Sequence, residues 1–223
     1  MSAQGSKFAA ILLAAGRAQR FGGDKLDAVI DGCKVIERAA RALAASSCGE
    51  RISVVSAANR THDDLLLSCG FSVVVNPDAP SGMASSIRAG VEMARQRGCS
   101  GVLIALADMP FVATPHFNRL FAIGEAHAAG LSFSAAGDKR MAPAFFRDCW
   151  FGDLAALRGD EGARGILARA PTSAGVRAAP AMLRDIDLPQ DLAAPASGPD
   201  DADRSPGAGQ QAISQGNRNA IFG

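Results

Sequence analysis

Tyrosine is absent from the 223 residues and tryptophan occurs once, at Trp150, so aromatic side chains make up only 5% of the chain. A platform of stacked aromatics for single-stranded nucleic acid is not expected from such a composition. Neither sign of charge dominates: 23 Lys and Arg stand against 22 Asp and Glu, a formal charge of +1. Without a basic field for a polyelectrolyte or an acidic bilayer, nucleic acid and membrane are not expected as partners, and any phosphate must be held by local groups. The five cysteines, Cys33, Cys48, Cys69, Cys99 and Cys149, show no CxxC pair and no Cys/His spacing that closes a tetrahedral zinc site. They fit idle thiols in a reducing cytoplasm, which is the expected location. The apolar run from Phe8 to Ala15 is too short to span a bilayer and is not followed by a cleavage site of the secretory kind.

That run is instead a strand buried on both faces and ending in a loop at Ala15-Gly16. Ile52 to Val55, Phe71 to Val75 and Val102 to Ala107 repeat the pattern. Between them, Val35 to Ala45, Thr61 to Ser68 and Ser85 to Arg97 carry apolar residues at the three- and four-residue spacing of helices. The alternation predicts an α/β fold, a three-layer arrangement around a mostly parallel Rossmann-like sheet with ligands at the carboxyl ends of the strands. Further along, a helix is expected over Thr114 to Ala129, a strand over Leu131 to Ala136 and an apolar stretch at Pro143 to Phe146. Two more helices follow at Trp150 to Leu157 and Gly162 to Ala168, then an edge strand at Val176 to Ala179 and a last short helix opened by Asp185-Ile-Asp-Leu-Pro. One domain over residues 1–194 is expected; residues 195–223, rich in Pro, Ser, Gly, Asp, Gln and Asn, read as a disordered tail.

The loop Leu13-Ala-Ala-Gly-Arg-Ala-Gln-Arg-Phe-Gly-Gly-Asp-Lys-Leu is the most informative segment. Small residues after a buried strand let the backbone approach an anion, and Arg17, Arg20 and Lys25 add three cations, enough to neutralise much of a triphosphate. The dinucleotide fingerprint GxGxxG is missing, and the P-loop form fails because Leu26, not Ser or Thr, follows Lys25. Dehydrogenase and ordinary ATPase chemistry are therefore disfavoured. The plain alternative is a glycine-rich surface loop.

Asp108 ends the strand Val102 to Ala107, at the edge where ligands bind. Magnesium needs one or two carboxylates and otherwise takes water and phosphate oxygens, so Asp108 and one further acid suffice. Asp187 is the candidate, with Asp185 two residues earlier on the same side of an extended stretch; capping of the turn led by Pro189 would explain either acid as well. Asn76-Pro-Asp-Ala-Pro-Ser-Gly-Met-Ala-Ser-Ser leads into a helix, where Gly82 permits close approach and Asn76, Ser85 and Ser86 offer polar groups to a nucleoside or simply cap the helix. No GxSxG elbow is present to support hydrolase chemistry. His62, His116 and His127 read as solvated helix residues.

In order along residues 8–193, the first loop, Gly-Met-Ala-Ser-Ser-Ile-Arg-Ala-Gly, Ala-Asp-Met-Pro and Asp-Ile-Asp-x-Pro-x-Asp-Leu together resemble the molybdenum cofactor cytidylyltransferase branch of the MobA-like nucleotidyltransferases. The resemblance implies a nucleotide-diphospho-sugar transferase fold and an enzyme that moves CMP from CTP to the phosphate of molybdopterin, with Mg2+ as cofactor and an apo-molybdoenzyme as recipient. It implies nucleotide contacts from Leu13, Ala14, Ala15, Gly16, Arg17, Arg20, Lys25, Asn76, Gly82, Ser85 and Ser86. Catalytic roles fall to Arg17, Lys25 and Asp108, and metal binding to Asp108 and Asp187. Leu157-Arg-Gly-Asp-Glu-Gly-Ala-Arg164 is similar to a family segment on the acceptor side. Leu13-Ala-Ala-Gly, where the guanylyl branch usually has Leu-Ala-Gly-Gly, favours CTP over GTP; Ala142-Pro143, where relatives often have His-Pro, departs from the pattern on the acceptor side. A guanylyltransferase, a sugar-1-phosphate nucleotidyltransferase and a non-catalytic cofactor carrier are the alternatives.

Overall fold

The computed structural model describes residues 8–16, 23–160 and 162–193. Its central strand is β1 (Phe8–Ala14). Ala10 and Leu12 enter the hydrophobic core on one face of the sheet, and Ala9, Ile11 and Leu13 enter the core on the other. Because both faces are covered, the two-residue period of the strand produces an unbroken apolar run.

β2 (Val29–Ile30) and β3 (Cys33–Lys34) form a separate hairpin, with Asp31 and Gly32 at positive φ in the turn. β4 (Glu50–Ser56) and β5 (Ser72–Asn76) extend the sheet in parallel on one side of β1, and β6 (Gly101–Leu106) lies parallel on the other. β7 (Leu131–Ala136), β8 (Lys139–Arg147) and β9 (Gly175–Arg177) complete seven strands in the order β5-β4-β1-β6-β8-β7-β9. Only β8 runs against its neighbours in this sheet.

Helices α1 (Val35–Ala44), α2 (Asp63–Ser68) and α4 (Thr114–Ala126) pack on one face, and α3 (Met83–Gln96), α5 (Phe151–Ala156) and α6 (Arg164–Ala168) on the other. In α3 the buried stripe Ile87, Gly90, Val91 and Ala94 meets β1 and β4. A Cβ on Gly90 would stand 2.7 Å from Ile11 Cγ2, so a bare backbone brings this helix hard against the central strand. The start of α3 is thereby held beside the carboxyl end of β1.

The expected α/β architecture is the observed one, with differences of detail. The apolar stretch at Pro143 to Phe146 is the inner part of the nine-residue β8, and the stretch after Asp187 becomes a 3-10 turn over Pro189–Leu192. The hairpin of β2 and β3 had no counterpart in the reading of the sequence. Two histidines are not solvated: His62 and His116 are buried. His116 shares the inward stripe of α4 with Phe117 and Leu120, a position that periodicity marks as core whatever the residue. The tail expected over residues 195–223 lies outside the described residues. Among the described residues, no helix is long and apolar enough to cross a membrane.

Candidate active site

β1 and β6 finish together: Leu13 pairs with Leu106, and the Ala107 N–H donates to the Leu13 carbonyl at 3.0 Å. The turns Ala15-Gly16 and Ala107-Asp108 therefore leave the sheet side by side, at the carboxyl edge where open parallel sheets hold ligands. The Ile186 N–H donates to the Asp108 carbonyl at 2.8 Å, which fastens the 185–187 stretch to the same edge.

Lys25 enters from a 3-10 turn (Lys25–Asp27) that begins at Asp24, whose Oδ1 accepts the Leu26 N–H at 3.0 Å. Its Nζ lies 2.6 Å from Asp108 Oδ2 and 2.8 Å from Asp187 Oδ1. Burial works to lower the lysine pKa, but the charge and hydrogen bond of Asp108, reinforced by Asp187, outweigh it and hold the pKa above its ordinary value. Among the described residues, one ammonium against two carboxylates leaves a net negative charge. Asp108 Oδ1 is buried and finds no hydrogen-bond partner among the described residues, so the strand-end carboxylate keeps an unsatisfied acceptor.

Asp185 and Asp187 have separate places. Asp187 reaches Lys25, whereas Asp185 lines a neighbouring cavity; burial, then the charges of Asp187 and Asp108, push the Asp185 pKa up. Neither side chain caps the Pro189 turn. Asp191 does so by reaching back, its Oδ2 accepting the backbone N–H groups of Asp187 at 3.0 Å and Leu188 at 2.8 Å. Those hydrogen bonds hold the Asp191 pKa below the ordinary carboxylate value.

A cleft of about 340 Å3 opens over these turns, lined by Leu13, Ala15, Gly16, Gly82, Ser86 and Asp108, with Met83, Leu106, Asp160 and the Ala79-Pro80 turn completing its wall. The residues expected to surround a nucleotide thus divide into groups. Leu13, Ala15, Gly16, Gly82, Ser86 and Asp108 share the cleft, and Lys25 and Asp187 are joined to Asp108. Ala14 is the partly buried last residue of β1, beside that lining. Asn76 and Ser85 sit in the wall behind it: the buried Asn76 Nδ2 donates to Ser85 Oγ at 2.8 Å and to Ser86 Oγ at 3.0 Å. Arg17 and Arg20 lie outside the described residues.

The start of α3 is shaped by its meeting with Asp160, which the sequence offered only inside a segment. Gly82 has φ +110°, and a Cβ there would come within 2.5 Å of the Gly159 carbonyl and of Asp160 Oδ1. The Ala84 N–H donates to the Gly159 carbonyl at 3.0 Å and the Met83 N–H to Asp160 Oδ1 at 3.3 Å. The protein's own carboxylate therefore holds the first donor of this helix, a position that can otherwise attract an external anion. The only sequence signal for Asp160 was its place in the Leu157–Arg164 segment. Asp160, Met83 and Leu106 also border a second cavity of about 140 Å3, mostly apolar, with Met109, Met141, Phe146 and Leu183 in its walls and Asp185 and Arg164 at polar positions.

The model of the MobA-like NTP transferase domain matches residues 10–175. Purine catabolism protein PucB of Bacillus subtilis (strain 168) is 30% identical over 195 residues, covering 81% of this chain and 92% of PucB. Among solved structures, Rv0371c from Mycobacterium tuberculosis H37Rv superposes with a TM-score of 0.72 at 24% identity, covering 84% of this chain and 96% of Rv0371c. A manganese complex of Rv0371c gives 0.56 at 22%, covering 82% and 91%. The nucleotidyl transferase Mth528 from Methanothermobacter thermautotroptrophicus gives 0.70 at 23%, covering 82% of this chain and 93% of Mth528. The domain match, which takes in both strand-end turns and the start of α3, together with the likeness to PucB over most of both chains, shows that this chain belongs to the MobA-like NTP transferase family and is a nucleotidyltransferase.

Proposed function

We propose that this chain acts in the cytoplasm to transfer CMP from CTP to the phosphate of molybdopterin, releasing pyrophosphate, with Mg2+ as the metal. The observation that carries the reading is Lys25 Nζ held between Asp108 and Asp187 at the edge of the cleft lined by Ala15, Gly16 and Ser86. The residues fit a hard divalent cation: two carboxylates meet at one point with a net negative charge, and Asp108 Oδ1 is an acceptor in need of a partner. The manganese complex of Rv0371c supports a divalent ion at a related fold. When bound, the ion supplies charge neutralisation along the triphosphate.

The remaining chemistry belongs to the chain. Ala15 and Gly16 let the phosphates approach the backbone closely, and Arg17 and Arg20 of the same loop oppose the charge of the leaving pyrophosphate. Lys25 turns from its carboxylates toward the α,β-bridging oxygen, where negative charge grows as the bond breaks. An acceptor phosphate oxygen attacks the α-phosphorus in line with that bond. No general base is required, because a phosphate monoester has a second pKa near about 6 and is already mostly dianionic at neutral pH.

Leu13-Ala-Ala-Gly supports CTP, and the position of Ser86 in the cleft lining supports a contact with the nucleoside. The mostly apolar cavity beyond Asp160 supports an acceptor with a flat heterocyclic body, molybdopterin among them, better than a bare sugar phosphate. The cofactor so made would pass to an apo-molybdoenzyme.

A pyrophosphate-release screen of the four nucleoside triphosphates against molybdopterin and several sugar 1-phosphates tests the reading. Release is expected with CTP and molybdopterin. Release with GTP overturns the choice of nucleotide, release only with a sugar 1-phosphate overturns the acceptor, and binding without release identifies a carrier.

A further inference from the structure

We propose that Asp24, Asp27 and His62 form a second cation site, apart from the Asp108 and Asp187 pair, which takes a divalent transition-metal ion such as Zn2+ or Mn2+. One ligand atom from each residue lies within 4.8 Å of the others. The imidazole of His62 is 95% buried, and its Nε2 makes no hydrogen bond of proper geometry among the described residues, although Asp27 Oδ1 lies 3.2 Å away. Its Nδ1 stands 4.0 Å from Asp24 Oδ2, beyond hydrogen-bond reach. A buried nitrogen left without a partner beside two carboxylates is a donor set for a cation.

The carboxylates have other partners, and the site must accommodate them. Asp24 Oδ2 accepts from Asn59 Nδ2 at 2.7 Å and its Oδ1 from the Leu26 N–H at 3.0 Å; Asp27 Oδ1 accepts from Lys34 Nζ at 2.7 Å. Each carboxylate oxygen retains a second lone pair, and Lys34 lies on the solvent side, where it can withdraw. Two carboxylates against one ammonium leave a net negative charge that favours a dication. The mixed donor set selects the chemical class: Zn2+ favours the imidazole and Mn2+ the carboxylates while accepting a nitrogen, whereas Mg2+ and Ca2+ take oxygen ligands. Both aspartates are partly exposed, so water completes the coordination.

The consequence concerns Lys25. Asp24 and Asp27 bracket the turn that presents it, and His62 stands at the N-terminal boundary of α2. A metal held by all three would tie both ends of that turn to the neighbouring helix and fix the approach of Lys25 to Asp108.

The test uses the full chain stripped with a chelator and titrated calorimetrically with Mn2+. Two binding events are expected in the parent protein, and Asp108→Asn should keep this one. His62→Gln and Asp27→Asn should weaken it by at least about tenfold. Asp27→Asn alters a partly exposed group and keeps the test open should the buried His62→Gln fail to fold. Independently, Zn2+ added to the parent protein should shift one of three imidazole 1H–15N signals, absent in His62→Gln. Unchanged Mn2+ affinity in Asp27→Asn, or a Zn2+ shift confined to His127, would overturn the site.

Discussion

At the scale of single residues, the arrangement turns on one ammonium shared by two carboxylates. Asp108→Ala removes the acceptor that has no other partner and leaves Lys25 paired with Asp187. Turnover should fall by at least about 1,000-fold with a cooperative thermal melt retained, and a variant that releases pyrophosphate at the parental rate would refute the metal assignment. Under the proposed mechanism, which sets the Lys25 charge on the breaking bond, Lys25→Ala should lower kcat by roughly 100-fold or more while the KM for the acceptor stays within about twofold. Steady-state kinetics separate the two parameters, and a change confined to acceptor KM would contradict the role.

Among the elements, the start of α3 governs the shape of the cleft. Gly82→Ala would drive a methyl group into the Gly159-Asp160 turn and place a side chain at φ +110°, a region that non-glycine residues avoid. The helix start must move away from that turn, so the variant should lose about 2 kcal/mol or more in urea denaturation and also lose nucleotide affinity. Asn76→Ala tests the wall behind: it removes the donor to the buried hydroxyls of Ser85 and Ser86 and should cost about 1–3 kcal/mol. If Asn76 holds the wall and does not itself touch the nucleotide, that cost will appear in the urea midpoint at saturating nucleotide as well as without it.

For the whole molecule, pH dependence follows from His116 on α4. The Ser134 hydroxyl donates to the Pro143 carbonyl at 2.8 Å and so has no second proton for the His116 Nε2, 2.8 Å away; the ring must donate from Nε2. Burial, with a smaller contribution from Arg119, lowers its pKa from 6.5 to about 4. Because the unfolded chain binds this proton more readily, the neutral ring's contribution is complete above about pH 6.5 and is lost as pH falls toward 4, by up to about 3 kcal/mol. Urea midpoints at pH 7 and 4.5 should therefore differ less in His116→Gln than in the parent chain.

The succession of the main strands and helices, the β2–β3 hairpin and the length of β8 apart, follows from the sequence alone, because burial on one or two faces writes a period of 2 or 3.6 into the residues themselves. Leu13 to Gly16 and Asp108 could be placed at strand ends for the same reason; Lys25 was legible as a cation of the first loop and Asp187 as a candidate second acid, and the motifs that resemble the family gave them roles. Local pattern does not say which atoms meet across the fold. That Asp187, not Asp185, reaches Lys25 depends on the Ile186 hydrogen bond to Asp108, and that Asn76 and Ser85 face inward while Ser86 lines the cleft depends on how α3 seats against β1. The burial of His62 and the capping of α3 by Asp160 belong to the same class. Side-chain direction at such points is chosen by contacts between segments far apart in the chain, and those contacts exist only once the sheet has closed its register and the helices have packed upon it.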